Sequence, residues 1–256
     1  MNLDRVSLGL PGATEPGVIA TVARHAEAAG FRALWLNDTP TGDALEGLAA
    51  AAASTSTLGL ATGVIPLDRR PAATLIAPLR ALPLDRVTLG IGSGAGRSGV
   101  LDRVRAGVEE LRAAIEIPIV VGALGPAMRE LAARTADGAL LSWLRPQDAR
   151  TAMAELRRDA AGRSVRGVLY VRATVSADAR ETLEREAAQY ASYPNYAAHF
   201  ARTGATAIET TIDGAADLAA QVESYTDEVD DVVLRAITAG STERELLAFI
   251  DEVARA

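Results

Sequence analysis

Short runs rich in Val, Ile and Leu alternate with longer Ala-rich amphipathic runs from one end of the chain to the other, and this rhythm constrains the fold more than any motif. Residues 6–10 (VSLGL) read as a strand, and residues 16–29 place Val18, Ile19, Val22, Ala23 and Ala26 on one helical face. Gly30 closes that helix, as a residue tolerant of left-handed backbone should. The same reading gives strands over 33–36, 58–65, 86–91, 117–121, 138–143, 167–175 and 232–237. Helices fall over 43–53, 72–82, 101–115, 126–135, 146–160 and 215–225, and a last one reaches residue 254 behind a Thr242/Glu245 capping pair. The rhythm breaks once, over 177–201, where one or two extra helices carry Tyr190, Tyr193 and Tyr196.

Strands separated by whole helices return to the same end of a sheet and must pair in parallel. Eight such units favour an α/β fold of the closed (β/α)8 type, a TIM barrel, over an open doubly wound sheet. The extra helices form an insertion after the seventh strand. With 256 residues and no linker or low-complexity tract, a single domain over 1–256 accounts for the chain.

Composition then removes function classes. The chain has no cysteine, and all 26 of its basic residues are arginine. Disulfides, thiolate metal sites, a cysteine nucleophile, a Walker lysine and a Schiff base are therefore excluded. A formal charge of -7 with dispersed arginines offers no footprint for nucleic acid. No apolar run approaches the ~18 residues of a membrane span, and nothing near Met1 resembles an export signal. The expectation is a cytoplasmic protein.

A barrel carries its chemistry in the loops after the strands. The two histidines, His25 and His199, fall on helices away from those loops, so no metal site is expected and no Ser-His-Asp triad assembles. His25 reads as a solvated residue and His199 as a surface or partner-facing one. No loop pairs carboxylates for glycoside hydrolysis. What the loops do hold is glycine. Gly122 to Gly125 lead into Pro126 at a first helical turn, which reads equally as a phosphate cradle or as an ordinary tight turn. Gly92, Ser93, Gly94, Ala95 and Gly96 could cradle a ligand's edge, with Arg69, Arg70 and Arg97 adding charge nearby.

Several segments, in order, carry a resemblance: residues 26–38 (AEAAGFRALWLND), 58–64 (LGLATGV), Arg69-Arg70-Pro71-Ala72, 86–94 (RVTLGIGSG), 118–126 (PIVVGALGP), 131–138 (LAARTADG) and 229–234 (VDDVVL). Together they cover nearly the whole chain, and the sequence resembles the bacterial luciferase-like family of flavin and coenzyme F420-dependent oxidoreductases. The resemblance implies a barrel that binds reduced FMN or coenzyme F420 in its mouth. It implies a bulge in the third strand, often with a non-prolyl cis peptide, at Thr62, Gly63 and Val64, backing the cofactor ring. It implies phosphate contacts from Gly122, Gly125, Pro126 and Ala127, and Gly92 and Ser93 of the glycine-rich loop are further candidate cofactor contacts.

The chain also departs from the family pattern. Thr39 stands where many deazaflavin-dependent members carry histidine, and Ala95 where they carry glutamate. Asp38 and Thr39 are therefore the expected catalytic residues, Asp38 as proton donor and Thr39 as a hydrogen-bonding group. The segment after the fourth strand is short, which leaves little for a lid. The implied function is hydride transfer to, or monooxygenation of, a small organic substrate, with coenzyme F420 slightly favoured over FMN. The alternative is a non-catalytic flavin-binding or partner-subunit relative. A homodimer and a flavin reductase partner are further expectations of the resemblance.

Overall fold

The computed structural model describes residues 1–96, 98–214 and 216–256. Its barrel wall runs β1 (Val6–Pro11), β2 (Ala33–Asn37), β3 (Gly59–Thr62) continued by β4 (Ile65–Pro66), β5 (Val87–Gly92), β6 (Ile119–Gly122), β7 (Gly138–Ser142) and β8 (Arg166–Thr174). A two-residue strand, β9 (Ile212–Asp213), pairs with the end of β8. The last wall strand, β10 (Asp231–Ala236), pairs in parallel with β8 on one side and β1 on the other. The ring of eight is thereby closed and has no free edge. Around it lie α1 (Pro16–Ala29), α2 (Ala44–Ser54), α3 (Ala72–Arg80), α4 (Val100–Ala114), α5 (Pro126–Thr135) and α6 (Pro146–Asp159). The insertion after β8 contains α7 (Arg180–Ser192) and α8 (Pro194–Thr203), followed by α9 (Leu218–Thr226) and, after β10, α10 (Glu243–Arg255).

The periodicities produce this directly. Successive strand residues point to opposite faces, so Leu8, Leu10, Leu34, Leu36, Leu60 and Leu89 pack outward against the helices. Ala33, Trp35, Ala61, Val120, Leu140, Val168, Tyr170 and Val233 fill the interior. Helix α1 meets the wall through Ile19, Val22, Ala23 and Ala26 and ends at Gly30 with φ +88°, a left-handed position that glycine adopts without strain. Helix α10 starts on the expected capping box, Thr242 with Glu245, and buries Leu246, Phe249, Ile250 and Val253. The helix expected from residue 215 begins at Leu218, and Ala215 itself lies outside the described residues. Among the described residues no helix is long and apolar enough to cross a membrane.

The third strand is not one strand but two. β3 pairs with β5 through Leu60↔Val87 and Ala61↔Thr88, an offset of 27, whereas β4 pairs through Ile65↔Ile91 and Pro66↔Gly92, an offset of 26. One extra residue is therefore accommodated between Ala61 and Ile65, the count that defines a bulge. The ladder bonds lost there are replaced by a side chain. Thr62 Oγ1 donates to the Gly90 carbonyl at 2.8 Å and accepts from the Gly90 N–H at 2.9 Å. The Gly63–Val64 peptide is cis, at the position the resemblance indicates.

The opposite, N-terminal end of the barrel is plugged by a polar group. Ser7 donates to Asp231 at 2.8 Å inside the barrel, with Arg32 and Arg166 each 3.7 Å from the same carboxylate. Burial pushes the Asp231 carboxyl up to about 6 despite that hydroxyl and those cations. Plugging the barrel's base in this way serves stability rather than catalysis, which belongs to the other end.

Candidate functional site at the barrel mouth

Where the strands end, the inner face changes character around the ring. On the arc from β3 to β6 it is nearly free of side chains. Val64 packs on the interior cluster while staying partly exposed, and it rests on Gly92 and Gly122. A Cβ at Gly92 would lie 2.7 Å from Val64 Cγ2, and one at Gly122 would lie 3.2 Å from Val64 Cγ1. A Cβ at Gly90 would meet the Thr62 carbonyl oxygen at 2.0 Å, and one at Gly63 the Tyr170 hydroxyl at 2.6 Å. The bulge is held from β2, whose Leu36 carbonyl accepts from the Gly63 N–H at 2.8 Å while the Asn37 amide donates to the Gly63 carbonyl. The outcome is a flat shelf with one aliphatic side chain at its centre.

Beside the shelf, residues 122–127 lead into α5. Gly125 is its N-cap in extended conformation, no side chain caps the first turn, and Pro126 occupies the first helical position. The first-turn N–H groups therefore have no intrahelical partner and point outward. A Cβ at Gly125 would meet nothing within 4 Å. The insertion grips this loop. His199 of α8 places Nδ1 3.0 Å from the Leu124 carbonyl and Nε2 2.7 Å from the Trp143 carbonyl, while Arg202 donates to the same Leu124 oxygen at 2.7 Å. His199 is thus a buried latch between the loops after β6 and β7, not the surface residue expected from its helical position. His25 is half-exposed as expected and lies 2.6 Å from Asp251 of α10.

The arc from β7 to β10 is cationic. Arg172 and Arg235 stand side by side in register on β8 and β10. Arg172 donates to Ser142 Oγ at 2.6 Å and lies 4.0 Å over the Trp143 ring and 4.7 Å over Tyr190. Glu186 of α7 approaches Arg172 at 3.2 Å and Arg235 at 3.7 Å. Tyr170, two residues before Arg172, crosses the interior toward Gly63, and its buried hydroxyl finds no hydrogen-bond partner among the described residues. Burial pushes that hydroxyl's pKa well above the usual tyrosine range, so it keeps its proton.

The expected site residues divide. Gly63, Val64, Gly92, Gly122, Gly125, Pro126 and Ala127 come together on the shelf and its flank. Thr62 lies beneath them with its hydroxyl spent on Gly90. Ser93 turns its hydroxyl onto its own loop, 3.3 Å from the Gly94 carbonyl. Gly94 has φ +75° and leaves no room for a Cβ beside Asp68, whose carboxylate accepts from the Ala95 N–H at 2.8 Å. Asp38 is buried and occupied: it accepts from Arg69, from Arg70 at 2.6 Å and from the Ala44 N–H at 3.2 Å. Arg69 and Arg70 are thereby tied down, and Arg97 lies outside the described residues. Thr39 carries a buried hydroxyl without a partner among the described residues. Arg172, Arg235, Tyr170 and Asn37 were not singled out from the sequence. The available signal was an arginine inside each of two apolar runs, VLYVRAT and VVLRAI, at the inward-facing phase of the strand.

Comparison with known proteins agrees with the fold. The fold is shared with a coenzyme F420-dependent tetrahydromethanopterin reductase from Methanopyrus kandleri, at 18% identity over 98% of both chains and a TM-score of 0.71. It is shared with an F420-dependent secondary alcohol dehydrogenase solved with an F420–acetone adduct, at 15% identity over 97% of this chain and 98% of the other, TM-score 0.74. It also matches the oxygenating constituent of 3,6-diketocamphane monooxygenase from Pseudomonas putida, solved with FMN, at 13% identity over 97% and 96%, TM-score 0.67. At sequence level, the model of the luciferase-like monooxygenases matches residues 3–113 and 96–256. The chain belongs to the luciferase-like monooxygenase family.

Proposed function

We propose that the barrel mouth holds a reduced flavin-type cofactor against Val64 and uses it to oxidise or reduce a small organic substrate. The observation that carries this reading is the shelf of Gly63, Gly92 and Gly122 around Val64, where a Cβ at Gly92 or Gly122 would strike Val64 and one at Gly63 would strike Tyr170. Its flatness suits a planar ring, and the uncapped first turn of α5 suits a phosphate. The residues present therefore fit such a group: Gly63, Val64, Gly92 and Gly122 against the ring, and Gly125, Pro126 and Ala127 against the phosphate. When bound, the cofactor would supply hydride transfer or, for FMN, oxygen activation. Coenzyme F420 is the favoured of the two, because residues 89–94 (LGIGSG) and Gly125-Pro126 look most like the deazaflavin branch.

The chain's own groups orient and shield. Thr62 fixes the bulge from below, Asn37 holds the Gly63 carbonyl, and His199 holds the phosphate loop against the insertion. Asp38 anchors the loop after β4 through Arg69 and Arg70 and is reassigned from proton donor to positioning residue. The hydroxyls of Ser142 and Tyr170 have, among the described residues, no acceptor for their protons and are available to donate to a bound group.

Absorption titration of the purified protein with FMN and with coenzyme F420 tests the reading. Saturable binding of one of them is expected; binding of neither overturns it and leaves a non-catalytic relative. Gly125→Asp has space for its side chain and sets a carboxylate against the phosphate, so affinity should fall by on the order of tenfold or more while the fold persists. Gly125→Ala, at φ -112°, should bind normally.

A further inference from the structure

The cofactor reading leaves the cationic arc of the mouth unexplained. Arg172 and Arg235 share one carboxylate, Glu186, so the three groups sum to a net charge of about +1 at ordinary pH. Arg172 is fully committed to Ser142, Glu186 and the faces of Trp143 and Tyr190. Arg235 is not. Apart from its 3.7 Å approach to Glu186, among the described residues it donates only to the carbonyl of Ala236 beside it, and its side chain is 16% exposed. Ser142 accepts from Arg172 and, among the described residues, has no acceptor for its own proton. Below them the Tyr170 hydroxyl, in a residue only 2% exposed, is also without a partner. The other inward residues of this layer, Asn37, Gly63, Gly92 and Gly122, carry no charge. A guanidinium taken largely out of water with only a shared and distant counter-charge is costly, and a further anion relieves that cost.

We propose that this arc binds an anionic group of the substrate, a carboxylate, with Arg235 and the Ser142 hydroxyl as donors and Arg172 holding both in place. The proposal rests on the reading that the cofactor ring lies against Val64. In the closed ring of eight, β8 stands opposite β3 and β10 opposite β5. Tyr170 spans that crossing, from β8 to within reach of Gly63. A ring on the shelf therefore turns its open face toward the arginines. The first turn of α5 follows β6, two strands from β8 and three from β10, so the phosphate and the carboxylate would occupy separate arcs.

Calorimetric titration with hexanoate and its neutral counterpart hexanamide, on the protein alone and loaded with FMN, tests this. The intact protein should prefer hexanoate by on the order of tenfold, the increment of one charge-assisted contact. Arg235→Gln should bring the ratio close to one, Arg235→Lys should retain part of it, and Ser142→Ala should lower it a few-fold. If Arg235→Gln fails to fold, the intact protein's ratio and Ser142→Ala decide. Equal affinity for the two probes, or a ratio unchanged in Arg235→Gln, overturns the proposal. So does an Arg235→Gln variant that weakens FMN but not riboflavin, because the arginine would then serve the cofactor's phosphate. Hexanoate preference without binding of FMN or coenzyme F420 would uphold the anion site and reject the cofactor reading, so the two fail separately.

Discussion

Thr62 shows how much one side chain decides at the mouth. Its hydroxyl stands in for two ladder bonds to Gly90, and Thr62→Val keeps the shape while orphaning a buried N–H and a buried carbonyl. The expected loss is about 1–3 kcal/mol in urea unfolding. Tyr170→Phe should do the reverse, leaving stability equal or slightly raised, since it removes a buried hydroxyl that has no partner. Asp231 gives the fold a pH dependence of definite sign. Its carboxyl is raised from 3.8 to about 6, so the native state binds the extra proton, and this contribution to stability declines as pH rises between those values. Asp231→Asn should flatten the stability profile over that interval; an unchanged slope would assign it to other groups. At this scale the sequence was legible where backbone alone decides, as at Gly63 and Gly122. It was opaque where a partner comes from far along the chain: nothing near Asp38 announces that Arg69 and Arg70, 31 and 32 positions on, will occupy it.

Elements were read more faithfully than their contacts. The amphipathic spacing located α1 and α10 to within a residue or two, because burial of one face is a local pattern. The same pattern cannot say what lies across from a polar residue on that face, which is why His199 was expected at the surface. It joins α8 to the carbonyls of Leu124 and Trp143, so His199→Ala should speed amide exchange across 194–203 and 122–126 far more than it lowers global stability. Glu27 of α1 plays a comparable part on the outer side. One of its oxygens accepts from the N–H groups of Ser56, Thr57 and Leu58 at 2.9, 2.6 and 2.8 Å, fixing the approach to β3. Burial alone would raise this carboxyl, but those donors hold it down at about 2. Its contribution is therefore present above its ordinary value of 4.5 and lost as pH falls toward 2. Glu27→Gln should remove that acid-side slope from the unfolding midpoint.

The whole molecule depends on closure. β10 joins β8 to β1, and α10 packs on α1 over the same seam, so the last part of the chain completes the first. Trp35 sits inside the barrel and Trp143 under the insertion, which lets fluorescence of single-tryptophan variants watch both regions. If the insertion is an integral part of the barrel, both should lose signal in one urea transition coincident with far-ultraviolet circular dichroism; an early Trp143 transition would mark the insertion as a separate unit. Closure was legible from the count of strands, whereas the slip in the third strand was indicated by the family resemblance alone, because periodicity does not report register. That slip has a consequence for any redesign of the mouth. Upstream of it Leu58 and Leu60 face the helices, and downstream Ile65 and Leu67 do, so the phase of the strand is inverted across one inserted residue. Deleting a residue from 62–64 would not merely straighten the strand. It would restore one unbroken alternation in which Leu60 and Ile65 both face the helices, and so remove the bulge that the Gly63 N–H and carbonyl tie to β2.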